Sequence, residues 1–247
     1  MTAKTAITHV AAVAIIYRKS DPTHLFMEVK DDGFPNPFVR RKLNFIGGNW
    51  IGDGAANDRS PLDTLNREIW EELSLERGAR STAELDLLGY PESEAFKPTP
   101  ISDETVTEFN ENDLEYVIGM ICKDLRDWGS FLHFAHPTLG GGSALVAYYE
   151  SALDEGTWKT LVDLHAKFGN LSNEAPTVII TADEILDKRL GVAFGHAPAL
   201  QGFLLGHGVN RAYDLPVMSG IHVVPVGPTP DSYEWILERY EIERKPV

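Results

Sequence analysis

The sequence predicts an α/β fold, and two observations carry that expectation. The first is a set of short runs rich in β-branched and apolar residues, bounded by turn formers. Residues 9–17 and 25–29 are the earliest of these, with the turn-like Ser20-Asp21-Pro22 between them. The second is a strongly signalled helix between such runs. Ser60 is a good N-cap, Pro61 suits the first helical position, and Asp63 makes a capping-box-like Ser-x-x-Asp. Leu62, Leu65, Ile69 and Leu73 then recur at i, i+3, i+7 and i+11, the spacing of a buried stripe.

The remaining elements follow in order. Residues 31–37 form a Gly/Pro loop, and residues 39–46 lead into Gly47-Gly48. Residues 85–90 read as a strand. Residues 91–107, acidic and carrying three prolines, read as a loop. Residues 114–125 are helix or strand, because periodicity alone does not decide between them. Residues 130–134 and 144–149 look like strands joined through the loop Pro137-Thr138-Leu139-Gly140-Gly141-Gly142. Residues 158–168 read as helix, 177–181 as strand, 197–205 as a late helix and 233–244 as a polar C-terminal helix or tail. Neither an internal repeat nor a linker is visible. The expectation is one domain over residues 1–247, with inserted loops and a C-terminal extension.

Composition bounds the function. At 247 residues, 43% hydrophobic and 24% charged, the chain can bury a full core. A formal charge of −15 argues against a general nucleic-acid or anionic-membrane binder. It is compatible with a small phosphorylated substrate, which needs only a local positive site and a metal. A single cysteine, Cys122, excludes an internal disulfide and fits a reducing, cytoplasmic setting. The apolar run at residues 10–17 is too short to span a bilayer and lacks a cleavage-like pattern, so it is a strand.

The chemistry concentrates in Arg67-Glu68-Ile69-Trp70-Glu71-Glu72. Glu68, Glu71 and Glu72 are three and four apart, so a helix brings them together on one face. Like charges this close repel unless a cation sits among them. Carboxylates favour hard divalent ions such as Mg²⁺. The plainer reading is an ordinary charged helix surface, since Glu and Arg are good helix formers.

This segment resembles the signature of the Nudix hydrolase superfamily, Arg-Glu-(aliphatic)-x-Glu-Glu-x-Gly-(aliphatic). Arg67, Glu68, Ile69, Glu71, Glu72 and Leu75 match it position by position, and Gly47-Gly48 matches the family's glycine pair. There are departures. Ser74 stands where the family has glycine, and Arg59 stands where it has an earlier glutamate. Residues 51–57 look like an insertion, and Asp53 or Asp58 could supply the displaced carboxylate. The resemblance implies an α/β/α sandwich with a mixed sheet. It also implies metal-dependent hydrolysis of a diphosphate linkage in a nucleoside diphosphate joined to another moiety.

The implied site has Glu68, Glu71, Glu72 and Gly48 at Mg²⁺ or Mn²⁺, with Arg67 fixing a glutamate. A separate carboxylate would take a proton from the attacking water. Candidates for that base are Glu150, Asp154 and Glu155, after the strand at 144–149, and the patch Glu108, Glu111 and Glu115. Of these, Glu155 joins the candidate catalytic set. For the substrate, Arg40 and Arg41 could fork onto phosphates beside Gly48. The alternative for them is a solvated face on a strand, where only alternate residues share a side. Tyr90 and Pro91 fall fifteen and sixteen residues past Leu75, which tilts the substrate slightly toward ADP-ribose-like compounds. Tyr90, Phe96 or Trp50 could stack on a base. His133 and His136 make a poor metal pair on a strand. Two other classes stay open. One is a catalytically silent nucleotide-binding or regulatory protein. The other is a prenyl diphosphate isomerase, which would need Cys122 in the pocket. The family also suggests a homodimer, for which the late apolar segments could serve.

Overall fold

A computed structural model describes residues 4–30, 34–50, 58–75, 110–139, 141–172, 174–209, 215 and 218–242. The segments expected at 51–57, 85–90 and 91–107, with Asp53, Tyr90, Phe96 and Glu108, lie outside the described residues.

The chain opens with β1 (Thr5–Ile7), β2 (His9–Arg18) and β3 (Asp21–Val29). Two short strands follow, β4 (Leu43–Asn44) and β5 (Ile46–Asn49), and then helix α1 (Pro61–Glu72). After α1 come α2 (Glu111–Lys123), β6 (Arg126–Ala135), β7 (Ser143–Leu153) and α3 (Glu155–Phe168). Next are β8 (Thr177–Thr181), α4 (Ala182–Asp187) and α5 (His196–Gly206). The chain closes with β9 (Ile221–Gly227), α6 (Tyr233–Arg239) and β10 (Tyr240–Ile242).

The ambiguous segment around residues 114–125 is a helix. Asn110 caps it in a reciprocal box with Asp113, a local signal that favours helix over strand. Two elements differ from expectation. Strand β9 carries Pro225, which argues against a central strand. It occupies the sheet edge beside β6, where a missing N–H costs least. The segment at 233–244, expected as a polar helix or tail, is helical over Tyr233–Arg239 but buries Tyr233 and Ile236, and β10 then pairs parallel with β1.

The large sheet is mixed, in the order β4-β3-β2-β7-β6-β9. β2 and β7 run parallel along their whole length, while β6, β9, β3 and β8 pair antiparallel with their neighbours. Both faces are covered, as an α/β/α sandwich requires. Alternation along β2 sends Ala12, Ala14 and Ile16 to one face, under α1, α2 and α3. It sends Val13, Ile15 and Tyr17 to the other, under α4 and α5.

The site depends on a split in this sheet. β7 occupies one edge of β2 throughout, so β3 and β5 must share the other. β3 pairs with Ile16–Arg18 and β5 with Ala11–Ala14. β3, meanwhile, pairs with β8 on one edge and reaches β4 through Glu28 and Val29. β2 and β3 therefore diverge, and the segment Leu43–Asn49 fills the wedge between them.

Candidate functional site

Gly47 and Gly48 line the wedge, and each is glycine for a separate reason. Gly47 has φ +137°, and a Cβ there would stand 2.2 Å from the Ala12 carbonyl oxygen. At Gly48 a Cβ would meet the Glu68 carboxyl carbon at 2.3 Å. Glycine at 48 thus lets the Glu68 carboxylate lie against the backbone of β5. The Gly47 N–H donates to Glu72 Oε2 at 3.3 Å. The strand and the helix are matched to each other through these two contacts.

Helix α1 forms as its caps predict. Asp63 N–H donates to the Ser60 hydroxyl at 3.1 Å, and Leu65, Ile69 and Leu73 are buried. Its carboxylates do not act as one group. Glu72 is 2% exposed and Glu68 is half-buried, and both line a cavity of about 460 Å³. Glu71 is a correction to the sequence expectation. It sits on the solvent side, paired with Arg67 at 2.7 Å, and does not line the cavity. Arg67 behaves as expected and more. Its guanidinium also holds Glu68 Oε1 at 2.8 Å and Asp58 Oδ2 at 3.1 Å. Asp58, nearly buried, accepts from Thr64 Oγ1 at 2.9 Å as well. It anchors Arg67 instead of supplying a carboxylate to the cavity. Arg59 is exposed and faces Asp63. Ser74 follows a helix end stitched by the Leu73–Ser172 bridge and has no positive φ, so the backbone asks for no glycine there.

Two acidic residues that sequence reasoning missed stand here, Glu174 in the cavity wall and Glu28 buried behind it. Glu28, on β3, is fully buried. Its Oε1 accepts from Asn44 Nδ2 at 2.7 Å and from the Lys30 ammonium. Its Oε2 and the Asn44 Oδ1 are buried with no hydrogen-bond partner. Glu174, in the segment before β8, lines the cavity beside Lys30. Burial pushes the Glu72 carboxyl well above the usual carboxylate range, and the charge of Glu28 adds to the shift. Burial raises Glu68 as well, against the pull of Arg67. Burial disfavours the charged Lys30, yet Glu28 outweighs it and holds the ammonium above its ordinary value. The signal for Glu28 was a lone acid inside an apolar strand. Glu28 and Lys30 alternate with Leu25, Met27 and Val29, so they share the α1 face.

The other candidates lie elsewhere. Glu155 is a correction. The cavity is walled by the first halves of β2 and β7, through Ala11, Val13, Ser143, Ala144 and Val146. Glu155 follows the far end of β7, paired with Arg18 and Ser20 in solvent. Asp154 is the N-cap of α3, and Glu150 accepts from His207 Nε2 at 2.7 Å. Glu111 and Glu115 are exposed on α2. Arg40 and Arg41 are likewise not brought into the cavity. They lie in a turn, not on a strand. Arg40 Nε donates to the Phe34 carbonyl at 2.6 Å, and Arg41 is exposed with φ +58°. Lys30 is the ammonium that lines the cavity. Trp50 is stacked on Tyr233 at 4.2 Å. Cys122 lies in the last turn of α2, packed against the core and outside the cavity lining, with its thiol pushed up to about 11 by burial. That removes the basis for the isomerase alternative.

The donors present suit a hard divalent ion. They are oxygens only: an orphaned buried carboxylate oxygen on Glu28, the raised carboxyls of Glu72 and Glu68, and the unpaired Asn44 carbonyl. Among the described residues no three His, Cys, Asp or Glu side chains already stand together as a ligand set. The chain's own cations partner the acids instead, Lys30 on Glu28 and Arg67 on Glu68. No helix among the described residues is long and apolar enough to cross a membrane.

No family model and no curated protein matches the chain. In fold it is similar to solved Nudix and MutT structures. A MutT protein from Methanosarcina mazei Go1 aligns at 12% identity and TM-score 0.42, over 85% of this chain and 100% of that one. A mutT/nudix family protein from Listeria innocua aligns at 15% identity and TM-score 0.38, over 85% of this chain and 97% of that one. A bifunctional NMN adenylyltransferase/ADP ribose pyrophosphatase from Francisella tularensis aligns at 11% identity and TM-score 0.39, covering 81% of this chain. The match spans 41% of that protein. Likenesses this distant leave the chemistry to be read from the cavity itself.

Proposed function

We propose that this protein is a Nudix-type pyrophosphohydrolase, cleaving the diphosphate linkage of a nucleotide derivative with Mg²⁺ or Mn²⁺. One observation carries the reading. Glu72 is buried beside Glu28, whose second oxygen has no partner, at the wall of a cavity large enough for a nucleotide. Two carboxylates desolvated side by side are costly, and a divalent cation is the natural way to offset that cost.

In this reading Glu28, Glu68 and Glu72 hold the ion, which when bound supplies charge neutralisation and an acidified water. Arg67, anchored by Asp58, keeps the Glu68 carboxylate in place. Gly48 keeps the space for that carboxylate open. Lys30, which lines the cavity, would be the ammonium for a phosphate oxygen of the substrate. Glu174, exposed at the cavity wall, takes the proton of the attacking water. It replaces Glu155 in that role.

The test is a substrate panel with Mg²⁺ or Mn²⁺: ADP-ribose, NADH, dinucleoside polyphosphates, sugar nucleotides and nucleoside triphosphates, with wild type beside Glu72→Gln. Product release by wild type alone supports the hydrolase and names its substrate. A second reading, a catalytically silent nucleotide-binding protein, is favoured by one feature. Lys30 and Arg67 already partner two of the acids without a metal. No product across the panel, with nucleotide-induced thermal stabilisation, would select it.

A further inference from the structure

Another part of the cavity, its ring end, is built from rings, and the Lys30 ammonium stands 5.2 Å from the centroid of one of them, Phe34. Phe34, Phe194, His133 and His196 line it, and Tyr148 lies fully buried behind them. The three polar side chains form one chain of hydrogen bonds. His133 Nδ1 lies 2.6 Å from the Phe194 carbonyl oxygen. Tyr148 Oη lies 3.1 Å from His133 Nε2 and 2.6 Å from His196 Nδ1.

The direction of that chain can be worked out atom by atom. A carbonyl only accepts, so His133 Nδ1 carries the proton. Burial keeps His133 neutral, which leaves its Nε2 bare. The Tyr148 hydroxyl must therefore donate to that Nε2. Having spent its one hydrogen, the Tyr148 oxygen accepts from His196 Nδ1–H. His196, fully buried and neutral as well, is left with a bare Nε2. That atom has no protein partner in the network and is not among the buried polar atoms left unsatisfied. It opens onto the cavity that His196 lines.

A lone pair at this place has clear consequences. It repels a phosphate oxygen. It accepts an N–H from the ligand. The ring N–H groups of His133 and His196 are already spent, so neither imidazole offers a donor to a ligand carbonyl. A base with carbonyls flanking its ring N–H would find no partner for them on these two rings. A base presenting an exocyclic amine would find one for it. The Phe34 and Phe194 rings, 5.9 Å apart, supply flat apolar contact. Phe194 itself holds φ +50°, an uncommon conformation for a bulky residue. Its carbonyl is held there by His133.

We propose that the inner end of the cavity binds an amino-bearing nucleobase, adenine or cytosine, through an N–H donated to His196 Nε2. Tyr148 and His133 are positioning residues that fix that nitrogen as an acceptor. This deepens the nucleotide reading above and rests on it.

The test uses the full chain and ligands that need no turnover. Calorimetry compares AMP with purine riboside 5′-monophosphate, and CMP with 2-pyrimidinone riboside 5′-monophosphate. The members of each pair differ in the exocyclic amine. At least one amino-bearing nucleotide should bind about tenfold or more tighter than its partner. Nitrogen-15 NMR of the free protein should show His196 Nε2 unprotonated. Tyr148→Phe keeps the buried ring and removes the fixing hydroxyl. It should bring the affinity ratio toward one and shift the His196 tautomer, whereas a merely structural role would weaken both members of a pair equally. A protonated Nε2 in wild type, equal binding within both pairs, or no binding of any of the four would overturn the proposal. Discrimination within a pair without hydrolysis in the panel would sink the hydrolase and leave this subsite standing.

Discussion

The two ends of one cavity solve the burial of polar groups in opposite ways. At the acidic end, Glu28 and Asn44 each leave a buried oxygen unpaired, and Glu72 is held far from its ordinary ionisation. At the ring end, Tyr148 has partners on both sides and His133 uses both nitrogens. One end keeps unpaired oxygens that the proposed cation would satisfy. The other is complete except for a single atom facing the ligand. The difference separates chemistry from recognition, and it predicts opposite responses to substitution and to pH.

The largest effect should come from Glu72→Gln. If the acidic end carries the reaction, turnover falls by roughly a thousandfold or more, the scale expected for a charge that acts in the transition state. The same change should raise the stability of the metal-free protein near neutral pH. The sign follows from the raised pKa. Stability from such a group is fully present below its unfolded value of 4.5 and is lost as pH rises through the folded value. As pH rises above 4.5 wild type loses that contribution, and glutamine has no such charge to bury. Thermal melts with and without Mn²⁺ check this. Wild type should gain stability from the ion and Glu72→Gln should not. A variant less stable than metal-free wild type would break the contrast between the two ends.

Gly48→Ala ranks next. The new methyl would stand 2.3 Å from the Glu68 carboxyl carbon, so the carboxylate must leave. Metal affinity should fall about 10- to 100-fold, as when a ligand loses its support. Overpacking at a half-open site should cost about 1–3 kcal/mol. Manganese titration followed by water-proton relaxation reads the affinity directly. Unchanged affinity would mean that Glu68 does not hold the ion.

Acid should attack the ring end. Burial lowers His133 from 6.5 to about 4 and lowers His196 too; His165, on α3 outside the cavity, is lowered as well. For a base depressed by folding, stability is present above the unfolded value and lost as pH falls toward the folded one. His133 alone should forfeit about 3 kcal/mol between pH 6.5 and 4. The Glu72→Gln background removes the opposing contribution of that carboxylate, leaving the one from Glu68. Denaturation midpoints measured across that window should fall steadily with acid. A flat profile would mean that the histidines are charged or exposed in the native state.

Much of the fold was legible because its signals are local. Ser60, Pro61 and the stripe through Leu65 and Ile69 announce α1 without reference to anything distant. Gly195-His196 and Gly206-His207 bracket α5 in the same way. The wedge between β2 and β3 was not legible, since it depends on which strand claims which edge of β2. Glu28 was hidden for the same reason, its neighbours reading as one apolar run. Tyr148, His133 and His196 come from β7, β6 and the start of α5, and nothing in their spacing links them. Glu68 and Glu72 could be read from the helix period, but not the rotation that turns Glu71 outward. Arg67 then holds Glu71 on that outer side, itself anchored by Asp58 nine residues upstream.

Glu155→Gln should have the smallest effect, and it tests the boundary of the site. Its sequence position, just after a strand, suggested a proton acceptor. Its carboxyl is instead held down to about 2 by the Arg18 hydrogen bonds in open solvent. A base that acidic is poorly matched to a water proton near neutral pH, and it stands at the wrong end of β7. Turnover should be unchanged across the pH range, and the melting temperature should barely move, as is usual for an exposed pair. Glu174→Gln, by contrast, should lower turnover while leaving Mn²⁺ affinity largely intact, since Glu174 serves the water and not the ion. If Glu155→Gln is the slower variant, the reacting end of the cavity has been assigned to the wrong end of the strands.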